Sequence, residues 1–442
     1  MAHIKKEKIS VNALQVGMYV CELDRPWTST SFPLQGFYIR SFSSIEQLQE
    51  VCQHVFIDIQ LTLEWERKRH LETVSGKLDK PKFKSEFSVL DRKRLKRTVY
   101  ENQTELLDEL STAEAALSNL KQTYKAFCTT LNQPNEIQAK RFKDAAFAVI
   151  DSVIRNPGAM LWLCAVNQST NRLLNHSMRC MVFAAALGRR IGLIESELKT
   201  AAFGALLMDI GKVLYPKELI DGSRPLTDAE FEHLKGHVEK SMKIASLKRL
   251  LTNTELKVIA HHHEKYDGSG FPAGLSGNMI HLHARIATIV DHYTGIVTPR
   301  ASVEPISPAE AQNRIYKLKG KEVQSELIEE FIQSIGLYPA ASLVELQSGE
   351  VATVLTANPK HKLSPIIIIL LNENKQWLKK YELVDLSKNK DKIDSQGRRI
   401  KKALEIGAFG ITTDVLKSIN LARFVKAAKI PKTEKKRFWQ RG

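Results

Sequence analysis

The chain has 442 residues, 43% of them apolar, and a formal net charge of +16 at neutral pH. Its length exceeds one ordinary core and predicts two to four domains, and the apolar fraction excludes a disordered chain. No apolar run approaches the roughly 20 residues of a membrane helix, and the opening MAHIKKEKISV lacks the apolar segment of a signal peptide, so a cytoplasmic globular protein is expected.

Residues 1–62 alternate short apolar runs with turn residues, as in LQVGMYVCEL and HVFIDI, and predict a small strand-rich domain. The composition then turns highly charged from Glu64 to Arg97, as expected of a solvated linker. Helical periodicity follows in ELLDELSTAEAALSNLKQTYKAF and AKRFKDAAFAVIDSVIRN, so residues 63–156 combine linker and helices. From 157 to 340 nearly every segment reads as helix. STNRLLNHSMRCMVFAAALGRRIG stops at Gly192, and LTDAEFEHLKGHVEKS opens with Thr227 and Glu230 in capping-box spacing. Period-two runs in LVELQSGEVATVLTAN and SPIIIILLNEN then place a short β segment at 341–395. In the tail at 396–442, residues 417–442 carry nine basic residues against the single acid Glu434, which suits a solvated terminus or a basic amphipathic helix.

The helical region carries candidate metal ligands: His176, Asp209, His237, the run His261 to His263, and Asp291. Imidazole with carboxylate suits iron, manganese, zinc or nickel, and one carboxylate can bridge two ions. A lone histidine is more often a satisfied core or surface residue, and His70, His233, His281 and His283 are left in that class. His176, Asp209 and His237 fall on consecutive helices that can converge in a bundle. Adjacent His262 and His263 differ by about 100° on a helix, so they can converge only at a helix end. Asp209 lies in the apolar run GALLMDIGKV, where an unpaired carboxylate would cost several kcal/mol, so it needs a metal or hydrogen-bonding partner. The five cysteines, Cys21, Cys52, Cys128, Cys164 and Cys180, are scattered without a CxxC pair and read as buried thiols.

LLMDIGK, LTDAEFEHLKGHVEKS, HHEKYDGSGFPAGLSG and ARIATIVDHY, in that order, resemble the HD-GYP phosphodiesterases, a bacterial branch of the HD-domain metal-dependent phosphohydrolases. The likeness covers about residues 170–340, and the first segment resembles an accessory domain of unknown function often fused ahead of HD-GYP domains. It implies a mainly α fold: an all-helical HD-type bundle with a small strand-rich N-terminal domain and a short β segment after the bundle.

It further implies hydrolysis of cyclic di-GMP to linear pGpG and GMP at one or two divalent ions, iron or manganese. One ion would be held by Asp209, His237, His262 and His263. The other would take His176, Asp209 and Asp291 with a histidine at 208, and Lys212 would contact phosphate. Asp267, Gly270, Phe271 and Arg300 would line the substrate side.

The likeness breaks at Met208, a weak thioether where histidine is expected. Arg172 stands where an acid would hold a third ion, so no third metal is expected. Phe271 replaces the tyrosine of the GYP signature, and PRASVEP replaces an Arg-Pro-Tyr-Arg segment, removing one charged contact. Two readings follow: a phosphodiesterase with weakened activity, or a degenerate module that binds a cyclic dinucleotide or docks a signalling protein such as a diguanylate cyclase. A nucleic-acid binder rests on net charge and the tail alone.

Overall fold

The computed structural model describes residues 6–25, 37–39, 42–59, 62, 98–131, 136–167, 171–221, 224–247, 251–298, 306–388, 398–421 and 423–424. It divides into two compact units, one built mainly from residues 1–96 and the other from the rest. The charged linker reading and most of the basic tail fall outside the described residues.

In the first unit, β1 (Lys6–Ser10), β2 (Tyr19–Leu23), β3 (Phe37–Tyr38) and β4 (His54–Asp58) form an antiparallel sheet in the order β1-β4-β2-β3, with helix α1 (Phe42–Val51) between β3 and β4 in sequence. Val20, Leu23, Val55 and Ile57 from the strands pack with Ile45 and Leu48 from the helix into a small core of its own.

The second unit is mainly helical. Its first helices are α2 (Leu106–Cys128), α3 (Glu136–Arg155), α4 (Pro157–Val166), α5 (Arg172–Arg190) and α6 (Glu195–Leu207). Next come the short α7 (Lys217–Ile220), α8 (Asp228–Lys235), α9 (His237–Leu247) and α10 (Asn253–His261). The last three before the second sheet are α11 (Leu282–Val297), α12 (Pro308–Tyr316) and α13 (Ser325–Ile335). One apolar core runs through α2 to α6 and α9 to α13, so the helices before residue 157 belong to the same body as those that follow.

Helix ends are set by local chemistry. Asn171 caps α5 by accepting from the Leu174 amide, and Gly192, at φ 76°, ends the helix turn in a conformation that costs other residues a Cβ clash. Thr227 and Glu230 form the expected capping box on α8, and Thr252 and Glu255 form a second one on α10.

GALLMDIGKV is not one helix. Helix α6 ends at Leu207, and Asp209 takes φ −103° and ψ 5°, in the sparsely used bridge region, before a tight 3-10 turn over Ile210–Leu214. Gly211 allows that turn to press on α9, since a Cβ there would stand 2.4 Å from the His237 carbonyl oxygen and 2.6 Å from the Ser241 amide.

After the helices, β5 (Leu343–Leu346), β6 (Val351–Thr356), β7 (Ile366–Leu371), β8 (Trp377–Asp385) and β9 (Ile400–Leu404) form an antiparallel sheet in the order β8-β7-β6-β5-β9, followed by helix α14 (Thr413–Ser418). The IIIILL run is a strand buried on both faces. Ile368 and Leu370 join the helical core, while Ile367 and Ile369 join a separate core beyond the sheet. Strand β9 lies at 400–404, past the 341–395 limit expected for the β segment. Its IKKAL sequence lacks the period-two alternation that would signal a strand by itself, and pairing with β5 supplies the order.

Glu109 on α2 is buried, and its two oxygens accept from Arg155 Nη2 at 2.7 Å, Arg155 Nε at 3.1 Å, Ser152 Oγ at 2.8 Å and Thr104 Oγ1 at 3.0 Å. Burial alone would raise this carboxyl, but the hydrogen bonds from Arg155, Ser152 and Thr104 and the Arg155 charge together outweigh it and hold it below its ordinary value. Its contribution to stability is therefore full above about pH 4.5 and is lost as pH falls through the lowered value. Glu109→Ala is expected to cost about 3 kcal/mol at neutral pH, the lower end for a broken buried pair because Arg155 keeps access to water. Chemical denaturation of both proteins at pH 7 and pH 3 tests this: the difference should shrink at the lower pH.

Candidate metal centre

Five segments bring six side chains together. Helix α5 supplies His176, the break after α6 supplies Asp209, the first residue of α9 is His237, the end of α10 supplies His262 and His263, and α11 supplies Asp291. His262 is the C-cap of α10 and His263 follows it, so the two leave helical geometry and both turn toward His237. His262 Nε2 lies 3.3 Å from His237 Nε2, and His263 Nε2 lies 3.2 Å from the same atom.

The tautomers of two rings are fixed from behind. His237 Nδ1 donates to the Leu234 carbonyl and His262 Nδ1 donates to the Ile259 carbonyl, each at 2.7 Å. Burial lowers the pKa of His237 and pushes that of His263 well below its ordinary value. Neutral His237, with Nδ1 protonated, therefore points its Nε2 lone pair inward, and the Ile259 contact turns His262 Nε2 to the same space.

Asp209 Oδ1 is buried without a hydrogen-bond partner, 3.2 Å from His237 Nε2 and 3.6 Å from His262 Nε2. Three lone-pair donors thus face one another with no proton between them, an arrangement that repels unless a cation sits among them. Their backbone-anchored imidazoles match the way histidine ligands are oriented from a second layer of hydrogen bonds. The residues fit a divalent ion.

The other oxygen, Oδ2, faces a second group. It accepts from Lys212 Nζ at 2.7 Å and lies 3.4 Å from His176 Nε2. His176 Nε2 is 2.8 Å from Asp291 Oδ1 and 3.5 Å from Cys180 Sγ. The donor atoms of Asp209, His237, His262 and His263 lie within 4.8 Å of one another, as do those of His176, Cys180 and Asp291.

Burial opposes ionisation of Asp209, yet the Lys212 charge beside it holds it well below the carboxylate range, while Asp209 in turn raises Lys212 against its own burial. Burial also opposes protonation of His176, but Cys180 and Asp291 hold it well above its ordinary value. Asp291 is the charged partner of the two, because burial raises the Cys180 thiol and keeps it neutral.

The remaining expected residues occupy different surroundings. The Phe271 ring stacks on His263 with centroids 4.7 Å apart, and Lys235 Nζ lies 5.2 Å from its centre. Gly270 sits where a Cβ would stand 2.3 Å from the Lys265 amide. Asp267 is on the loop, accepting from the Ser269 amide and hydroxyl, away from the donor clusters. Arg300 lies outside the described residues. Arg172 donates to the Asp221 and Thr298 carbonyls, and His281 accepts from the His283 amide at the start of α11, a structural role for that pair.

Two contributors had escaped the sequence reading. Cys180 follows His176 by four residues, a spacing that puts both on one helix face. Buried Glu264, next to the paired histidines, accepts from the Ala273 amide at 2.7 Å and the Leu275 amide at 3.0 Å, while the Phe271 amide donates to the His263 carbonyl. It staples the glycine-rich loop to the histidine turn, and Thr288 on α11 donates to the His262 carbonyl beneath it.

Residues 164–327 match the HD domain, residues 6–142 match a domain of unknown function, DUF3391, and residues 343–404 match a KOW domain associated with HD domain. The bundle is an all-helical HD domain, with one small antiparallel sheet before it in the sequence and another after it. The chain carries an HD domain, and its likeness over most of its length is to an HD-GYP protein.

It is 26% identical over 388 residues to the cyclic di-GMP phosphodiesterase PA4108 of Pseudomonas aeruginosa, covering 86% of this chain and 89% of that protein. It is 31% identical over 173 residues to a probable cyclic di-GMP phosphodiesterase of Vibrio cholerae, covering 36% of this chain and 39% of that one. It is 30% identical over 155 residues to the 3'3'-cGAMP-specific phosphodiesterase 2 of Vibrio cholerae, covering 35% and 30%. A solved structure, Bd1817 from Bdellovibrio bacteriovorus, covers 74% of this chain at 17% identity with a TM-score of 0.39, too slight a likeness to carry an argument.

Glu264→Ala leaves two loop amides without an acceptor and is expected to cost about 1–3 kcal/mol. Amide hydrogen exchange checks it: Ala273 and Leu275 should exchange much faster in the variant while the amides of α5 keep their protection.

Proposed function

We propose that this chain is a metal-dependent phosphodiesterase that hydrolyses cyclic di-GMP to linear pGpG or GMP. The observation that carries the reading is Asp209, a buried carboxylate with one oxygen turned to His237 and His262 and the other to His176 and Lys212. The extended similarity to a protein named as a cyclic di-GMP phosphodiesterase supports the substrate. Divalent ions, iron or manganese, would supply Lewis-acid polarisation of the phosphodiester and ready a water for attack.

Asp209, His237, His262 and His263 are the proposed ligands of one ion, and His176, Asp209 and Asp291 of the other. Lys212 stays charged beside Asp209 and is placed to meet a phosphate oxygen. Phe271 offers an aromatic face at the edge of the centre, with Lys235 near it. Gly270 lets the loop lie against the histidine turn, and Asp267 shapes the loop through Ser269.

Met208 favours a second reading. It is fully buried in the apolar core where the family resemblance puts a histidine, so activity would be weakened, or the domain would serve as a cyclic-dinucleotide receptor or a docking module for a signalling protein such as a diguanylate cyclase. No helix among the described residues is long and apolar enough to cross a membrane.

Purified protein loaded anaerobically with iron or manganese and given cyclic di-GMP separates the readings. Turnover to pGpG or GMP is expected, with Asp209→Ala reducing it by a factor of 1,000 or so, equivalent to about 4 kcal/mol. Met208→His should raise metal occupancy and turnover if Met208 weakens the centre. Binding of cyclic di-GMP without product, in fully metallated protein, would favour the receptor.

A further inference from the structure

We propose that Cys180 is a ligand of the second ion, so that a thiolate stands in for the nitrogen that Met208 does not supply. The inference rests on the metal-centre reading and concerns the chemistry of one of its two positions. His176 and Cys180 lie one turn apart on the same face of α5. Cys180 is fully buried, and its Sγ is 3.5 Å from the same Nε2 that lies 2.8 Å from Asp291 and 3.4 Å from Asp209.

Ligand atoms bound tetrahedrally at 2.0–2.3 Å stand roughly 3.3–3.8 Å apart. The sulfur–nitrogen separation already meets that spacing, so an ion can reach both atoms without moving the helix. The sulfur now faces the Val290 carbonyl at 3.7 Å, a weak contact that coordination can replace.

On binding, the Cys180 sulfur–hydrogen bond and the His176 Nε2–hydrogen bond break, each electron pair stays on its atom as it bonds to the ion, and both protons go to solvent. The position gains a negative charge that a histidine at 208 would not have brought. With one imidazole, one thiolate and two carboxylates, it prefers a borderline ion such as iron(II), cobalt(II) or zinc over manganese or magnesium. The histidine-rich position, bearing no sulfur, keeps the broader choice. Met208 is then accounted for as part of the apolar core, with the open coordination place filled from the opposite helix.

The test uses the full chain, reduced and loaded with cobalt(II) under anaerobic conditions. Two ions per chain with near-ultraviolet thiolate-to-cobalt absorption are expected. Cys180→Ser should lose that absorption and bind the second ion at least about tenfold more weakly, while Cys164→Ser, at a buried thiol on α4, should keep both. Two bound ions with no thiolate absorption in the unsubstituted chain would overturn the inference and leave the metal centre standing, as would absorption that survives in a folded Cys180→Ser protein. No bound cobalt at all would remove the metal centre and the inference together.

Discussion

A carboxylate oxygen that has no proton to accept organises the helical unit. Asp209 Oδ1 is buried against imidazole nitrogens whose own protons are committed elsewhere. Such a group cannot be left as it is at low cost, because burial of unpaired charge is worth several kcal/mol. The surrounding structure holds it there all the same. Three features share the work: the break after α6 that aims the side chain, Gly211 that lets the turn lie against α9, and the backbone carbonyls that hold two rings in register. Local strain of this sort is tolerated where the rest of the fold over-determines it.

Much of the fold could be read from periodicity and end signals. The capping box at Thr227, the stop at Gly192, the IIIILL strand and the mainly helical region all rest on side-chain patterns that act over a few residues. What could not be read depended on partners far along the chain. Strand β9 is ordered by its pairing with β5, and the helices before residue 157 belong to the later core because of what α5 and α6 bring to them. A long-range partner leaves no mark in a local window.

The candidate site was legible in a different way. The order of the histidine and aspartate motifs named the residues through family resemblance, and the physics of adjacent histidines required a helix end, where α10 stops. Cys180 carries no signal of its own, because a thiol beside a histidine and an aspartate has no partner cysteine to mark it. The apolar residues of GALLMDIGKV continue the helical pattern past Leu207, whereas the backbone turns there and aims one polar residue. Periodicity fails at that point, as local rules do where a polar group must be positioned.

The staple made by Glu264 bears on how the two halves of the centre behave together. One carboxylate receives amides from the far side of the loop, and the loop returns an amide to the His263 carbonyl, so Phe271 and His263 are held as neighbours before any ligand arrives. A guest would meet a surface whose ordering entropy was already spent during folding. The same stiffness removes a degree of freedom: a change in the loop cannot be absorbed locally and must pass into the histidine turn. Loop and metal position would therefore drift together over evolutionary time, as a single mechanical part.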